Sequence, residues 1–406
     1  MLWKLAFRNI TASKKRSSVT LLLTSITTAL LVFSSAWMDG SHNTMIHNSV
    51  EIYPGYIQIT GKDFRANPSY ENLIFDVAVI SDKLEENDDI AFFAARFESF
   101  VLFSAGEKAV GGMLTGIEPE QEMHLSRLAS SLQKGEYLAA GDTNQVYIGS
   151  ELAKRLKLDV GDEVAFIGSG ADYSFAADNL QIKGIFQTGL FDFDAGSAFL
   201  AKGYFDRIMA AENLATHIIV LPKQPNRVQE LAAVISEAVG PEYQSASWHQ
   251  TMAELVKAMK LDSIFGYIAL GVIFIVIFFV IMIYTLLAVF ARIRELGIMR
   301  AIGTGPKQIL VLLLLESTLL GLVSVITGGL LGGGLAYYFH INPIVFSGFE
   351  EQFKQYGLAT SAMPTAFMPL VILRDMAIMF CLSVLSTLYP ILKVNRFRPV
   401  EAIHHV

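Results

Sequence analysis

The segment Ala291–Ile309, ARIRELGIMRAIGTGPKQI, is where residue types and spacing point most clearly to a specific interaction. Ile293, Leu296, Ile298 or Met299, and Ile302 recur at helical spacing, with Arg292, Glu295 and Arg300 on the other faces. Gly303 and Gly305 end such a helix, and Pro306 is suited to start the next. A short amphipathic helix hung between two apolar runs is fitted to a groove on a partner protein. As a plain solvated loop it would leave its apolar residues in water. Catalytic chemistry is harder to find. The eight histidines, among them His42, His47, His249 and the His404–His405 pair, show no metal-ligand spacing with carboxylates or thiols. No nucleophile elbow occurs. Nor does the phosphate loop G-x-x-x-x-G-K followed by Ser or Thr, so no ATPase, catalytic site, metal or resident cofactor is expected in this chain.

The elements that hold this segment are apolar helices. Of the 406 residues 52% are hydrophobic and only 17% charged, too apolar for an ordinary soluble domain. A helix needs roughly 20 apolar residues to cross a hydrocarbon core. Val19–Met38 meets that length, although rich in Ser and Thr; Ser263–Ala291 and Ile309–Phe339 exceed it. Met376–Leu392 is shorter and is preceded by Arg374 and Asp375 at the outer interface. The fold expected is an α-helical membrane protein with four transmembrane helices and a large α+β extracytoplasmic domain between the first and second. Its divisions are a cytoplasmic interfacial helix at 1–17, spans at 18–38, 263–291, 309–340 and 370–392, and an outer domain with stalk helices at 39–262. A cytoplasmic coupling helix at 292–308, an outer loop at 341–369 and a cytoplasmic tail at 393–406 complete it. Ser34 and Ala36 resemble a leader cleavage site, but the long basic segment before a run of full spanning length favours a retained span.

Lys and Arg set the orientation. Lys4, Arg8, Lys14, Lys15 and Arg16, then Arg292, Arg294, Arg300 and Lys307, then Lys393, Arg396 and Arg398, fall on one side of a four-span chain. Residues 39–260, with 17 Lys and Arg against 31 Asp and Glu, fall on the other. Both termini are therefore expected in the cytoplasm, with the large domain on the outer side of the membrane. The acidic balance argues against nucleic acid as a partner. The only cysteine, Cys381, lies in the fourth span, so the outer domain has no disulfide.

Leu2, Leu5, Ala6 and Asn9 or Ile10 share a helical face, as in a helix lying along the membrane surface. In the outer domain Tyr56–Thr60, Glu163–Ile167, Leu180–Phe186 and His217–Leu221 read as strands, and Ile148–Leu158 as a helix. Gly168–Asn179, rich in Gly, Ser and Ala, reads as a protruding hairpin loop. From Trp248 the helical period runs without Gly or Pro into the second span, predicting one continuous stalk helix to Ala291. Gly328-xxx-Gly332 and Gly329-xxx-Gly333 allow close helix packing, within one subunit or between two. Glu316 lies inside the third span, where an isolated carboxylate is costly. Pairing with a base from the coupling region is favoured over lining a polar cavity.

The run R-x-R-E-L-G-I-M-R-A-I-G resembles the coupling segment of the FtsX/MacB/LolC–LolE superfamily of ABC transporter permeases. Tyr389-Pro390 with Arg398-Pro399-Val400-Glu401-Ala402-Ile403 is similar to that family's tail. Ile148-Gly149 with Leu158, Gly161, Asp162 and Val164, the stretch Gly184–Gly189, and Gly116–Glu120 are similar to its MacB-like periplasmic core. The resemblance implies two permease subunits, identical or homologous, and an outer domain of two subdomains. It implies two copies of a cytoplasmic ABC ATPase that bind the ATP and Mg²⁺, coupled through Arg292, Arg294, Glu295, Leu296, Gly297, Met299, Arg300, Ala301 and Gly303. The missing phosphate loop and the large outer domain make the layout most similar to the LolC–LolE members. That implies extraction of lipoproteins or similar amphiphiles from the outer leaflet, with the alternatives of MacB-like mechanotransmission efflux or FtsX-like control of a periplasmic hydrolase. A periplasmic chaperone or adaptor would meet the loop holding Gly168, Asp172, Tyr173 and Phe175. Acyl chains would enter between spans of opposite subunits, past Leu30, Phe33 and Met38 on the first and Phe265, Ile268 and Val272 on the second.

Overall fold

The structure is a computed structural model that describes residues 2–12, 14–348 and 362–395. The chain forms two compact units: one combines residues up to Asn43 with Met259–Val345 and the segment from Ala362, and the other holds Thr44–Ala258. Among the described residues, four helices are long and apolar enough to cross a membrane.

The first unit is helical. Helix α1 (Leu2–Ala12) is followed by α2 (Lys14–Val50), which extends well past Met38, where the apolar run ends. The helices of the second unit are α3 (Val77–Glu85), α4 (Pro119–Leu125), α5 (Ser150–Leu156), α6 (Phe191–Gly196), α7 (Lys202–Met209), α8 (Val228–Val239) and α9 (Trp248–Thr251). Then come α10 (Ala253–Phe290), α11 (Ile293–Ala301), α12 (Pro306–Ile341) and α13 (Pro369–Asn395). Small residues set the packing of α12. A Cβ on Gly328 would lie 2.4 Å from the Ser25 carbonyl oxygen of α2, and one on Gly332 would lie 2.7 Å from that of Ala29. Gly329 and Gly333 instead face Met376 and Ile372 of α13. The glycine pairs thus serve contacts within this chain. Hydroxyls in α2 that would be costly against lipid are absorbed in the same contact: Ser25 donates to the Ser324 carbonyl at 3.0 Å and meets Thr327 at 2.6 Å.

The second unit is built on β1 (Ile57–Gly61), β2 (Ile90–Ala105), β3 (Lys108–Ile117), β4 (Leu132–Gly135), β5 (Gln145–Gly149), β6 (Glu163–Ser169), β7 (Phe175–Phe186), β8 (Ser197–Ala201), β9 (His217–Pro222) and β10 (Tyr243–Ser247). The 16-residue β2 belongs to two assemblies. Its first half pairs with β9 in the order β10-β1-β9-β2. Its second half pairs with both β3 and β6, and the ring β2-β3-β8-β5-β7-β6 closes on itself. Closure leaves those strands without free edges. Alternation along β2 sends Phe97, Val101 and Phe103 into the closed ring, where they meet Leu114, Phe166 and Ile182. Each such side chain contributes roughly 1.5–3 kcal/mol by leaving water.

Three readings of the sequence are corrected here. Ile148 and Gly149 belong to β5, and the helix begins only at Ser150. Two residues at the edge of a helical pattern fit strand or helix equally, and pairing with β7 and β8 decides them. The segment 168–179 is mostly strand: β6 reaches Ser169 and β7 starts at Phe175, leaving Gly170–Ser174 as the connection. Finally, the helix from Trp248 is not continuous. It breaks at Met252 (φ −116°, ψ 48°) before α10 begins. The Trp248 amide donates to the Tyr56 carbonyl at 2.8 Å and its ring is buried, so the first turn is held by β1. That anchorage overrides an unbroken helical pattern.

Candidate functional site

The segment expected to dock an ATPase, α11 with its flanks, is positioned by the ends of α10, α12 and α13. Leu296 of α11 is buried with Val289, Ile309, Leu313 and Ile391, and Met299 packs on the edge of that cluster. Gly297 is buried, and Gly303 at φ 104° turns the chain after α11, a conformation that side chains resist. The apolar face expected of this helix is therefore divided. Leu296 and Met299 turn inward, whereas Ile298 is 47% and Ile302 82% exposed. Arg294, Glu295 and Ala301 are also exposed, and Arg300 is half-buried.

Arg292 stands at the N-cap position of α11 and ties it to α12 through its side chain. Its Nε donates to Glu295 at 2.9 Å and its Nη1 to Oε2 of Glu316 at 2.9 Å. The other Glu316 oxygen accepts from Asn9 Nδ2 of α1 at 2.6 Å. One carboxylate of α12 thus gathers the first helix and the coupling segment, which satisfies its charge at depth. A cavity of about 60 Å³ adjoins this cluster, between α2, α10, α12 and α13. The sequence placed Asn9 with Ala6 on one face of α1 but gave it no role beside Glu316.

The remaining candidates fall in separate places. On α2, Leu30 is exposed, while Phe33 packs against Trp37 and, edge-on at 5.8 Å, against Phe339 of α12. Met38 lies beside Gly266 of α10. Phe265, Ile268 and Val272 are exposed along α10. Within a single chain these six do not enclose a common cavity face: Phe33 turns to α12, and the α10 residues turn outward. In the hairpin, Gly168 sits within β6. Asp172 accepts from the Ser174 amide at 2.9 Å, and hydrogen bonds from Ser174 hold its carboxyl below the usual range. Tyr173 (φ 64°) and Phe175 are 65% and 77% exposed. The Ala171 amide donates to the Met209 carbonyl at 2.7 Å, so the connection is tied down rather than projecting freely.

The second unit also contains a buried polar centre that the sequence reading missed. Arg96 is bidentate to Glu122 at 2.9 and 2.6 Å, both side chains fully buried. Arg96 also donates to the Tyr53 carbonyl at 2.7 Å and lies 4.0 Å from that ring. Glu98 accepts from the Tyr53 hydroxyl at 2.5 Å and faces His217 Nε2 at 3.8 Å. Burial pushes His217 below its ordinary value despite Glu98, and pushes the Tyr53 hydroxyl up. A lone basic residue in the apolar run Ile90–Ala105 was the visible hint.

Comparison with known families settles the class. The MacB-like periplasmic core domain matches residues 17–238, more than half the chain, and the FtsX-like permease C-terminal domain matches residues 267–399. The chain belongs to the FtsX/MacB/LolC family of ABC transporter permeases. Among the relatives of this permease, the lipoprotein-releasing system transmembrane protein LolC of Xylella fastidiosa is 25% identical over 332 residues, 78% of each protein. LolC of Neisseria meningitidis serogroup B is 23% identical over 400 residues, 93% of the permease and 91% of that protein. The periplasmic region of MacB from Actinobacillus actinomycetemcomitans aligns with a TM-score of 0.38 and 13% identity, over 52% of the permease and 95% of that chain.

Proposed function

We propose that this permease is the membrane subunit of an ABC machine that extracts lipid-anchored proteins or similar amphiphiles from the outer leaflet of the inner membrane. It crosses the membrane four times, with both termini in the cytoplasm and Thr44–Ala258 in the periplasm between the first two crossings. Two permease subunits work with two copies of a separate ATPase, which binds the ATP and Mg²⁺.

The observation that carries the coupling role is α11. A helix fixed from below by Leu296 and Arg292, yet presenting Ile298 and Ile302 to solvent, has the form of a plug for a groove. The basic residues around it suit a cytoplasmic position. The lipid-anchored cargo is supported by the likeness to LolC over most of the chain. The exposed apolar row Phe265, Ile268 and Val272 offers one wall for acyl chains.

Photo-crosslinkers at Phe265 and Val272 test the cargo. They should capture acylated substrate and miss its unacylated form; equal capture of both would put a MacB-like efflux role in its place. Ile302→Asp should cost copurification of the ATPase while leaving membrane insertion unchanged. Full ATPase recovery with that variant would reject α11 as the docking helix.

A further inference from the structure

The second unit holds a cleft of about 670 Å³, in the range of ~300–1,000 Å³ typical of small-molecule sites. Its walls are apolar and aromatic: Phe64, Tyr70, Phe100, Met113 and Tyr173. The Tyr70 and Tyr173 rings lie with centroids 5.6 Å apart, tilted 57° to one another. Phe100 is 69% exposed, an unusual state for a phenylalanine on a strand unless something covers it.

Most polar groups lining this cleft are already engaged. The Tyr70 hydroxyl pairs with Ser99 at 2.9 Å and donates to the Ser169 carbonyl at 3.1 Å. The Thr216 hydroxyl donates to the Arg96 carbonyl at 3.0 Å. Glu98 is engaged through one oxygen only. It lies on the same face of β2 as Phe100, and its side chain is 28% exposed. One of its oxygens takes the Tyr53 hydroxyl.

Charge then decides what the cleft selects. Arg96 and Glu122 neutralise each other in a bidentate pair. Buried His217 lies 3.8 Å from Glu98 and is held towards its neutral form. Arg65, the nearby exposed base, donates to the Gln58 carbonyl at 3.2 Å, and no Lys or Arg among the described residues makes an ion pair with Glu98. One negative charge therefore remains in the lining of an aromatic cleft. Aromatic faces favour a cation above them, and a half-desolvated carboxylate favours it further.

We propose that this cleft binds amphipathic cations, small molecules with a protonated amine and an apolar body, with Glu98 as counter-charge and Tyr70, Phe100 and Tyr173 as the aromatic wall. A carboxylate ligand of the same shape would meet the Glu98 charge and be rejected. This site is independent of the cargo path along the long helices.

The test uses the full chain in phosphatidylcholine nanodiscs with two photoreactive probes of one carbon skeleton, a diazirine phenylalkylamine and its carboxylate counterpart. Labelled peptides are mapped by mass spectrometry. The amine should label peptides containing Phe100, Met113 or Tyr173, and excess unlabelled phenylalkylamine should suppress it. The carboxylate should not label them. Glu98→Gln should reduce amine labelling about tenfold or more, as loss of one charge-assisted hydrogen bond requires. Because Glu98 also holds Tyr53, Phe100→Lys provides a second variant; it places a fixed cation in the cleft from an exposed position and should abolish labelling without altering the thermal midpoint. Equal labelling by both probes, or undiminished amine labelling in both variants, would overturn the proposal.

Discussion

Replacing Glu316 with Leu tests how α11, the proposed docking helix, is held. Glu316 lies ten residues into α12, about 15 Å along its axis, and accepts from Asn9 at 2.6 Å and Arg292 at 2.9 Å. Both contacts are charge-assisted, each worth about 1.5–3 kcal/mol when well buried. Arg292 keeps its bond to exposed Glu295, so removing Glu316 does not strand a bare cation, and the loss should fall short of the ~3–5 kcal/mol of a broken fully buried pair. We expect Glu316→Leu to cost about 2–3 kcal/mol. The adjoining cavity gives leucine room, so crowding does not explain the loss. Glu316→Gln, which can still accept from Asn9, should cost less. SDS-titrated unfolding of the purified chain in micelles measures these values. A double-mutant cycle with Arg292→Met should show coupling of about 1 kcal/mol or more. Because Arg292 ties the start of α11 to Glu316, substrate stimulation of the partner ATPase should fall even where the ATPase still binds. A Glu316→Leu protein within about 0.5 kcal/mol of wild type, or a cycle with no coupling, would refute the anchoring argument.

In the second unit, Glu122→Ala leaves Arg96 buried and uncompensated and should destabilise by about 3–5 kcal/mol; Arg96→Met with Glu122→Leu should recover much of this, as thermal melts would show. His217 titrates below its unfolded value of about 6.5, so the unfolded chain binds the extra proton first. Stability should be unaffected by this group above that pH and decline below it until the folded value is passed, and His217→Gln should flatten that part of the pH–midpoint curve. Ala258→Pro, inside α10, should cost about 3 kcal/mol or more and abolish transport while ATP hydrolysis by the partner continues; wild-type transport would show that an intact α10 is not needed.

Composition and periodicity alone specified the four long apolar helices, because spanning length and the lack of charge are local properties that lipid enforces. The same holds for α11 and its stop: helical spacing, Gly303 and Pro306 lie within one short segment. Which apolar residue of α11 faces inward was not written there. Leu296 and Ile298 are equally apolar, and only the ends of α10, α12 and α13 decide that the first is buried and the second exposed. The break at Met252 came from outside its own segment as well, through the hold of β1 on Trp248. Arg96 with Glu122, and Glu316 with Asn9, unite residues 26 and 307 positions apart. A buried charge needs a partner; the sequence announced that need at Glu316 and at Arg96 offered only a lone base in a mainly apolar stretch. Packing alone determined the partner, because desolvation acts on what folding brings together, whatever the separation along the chain.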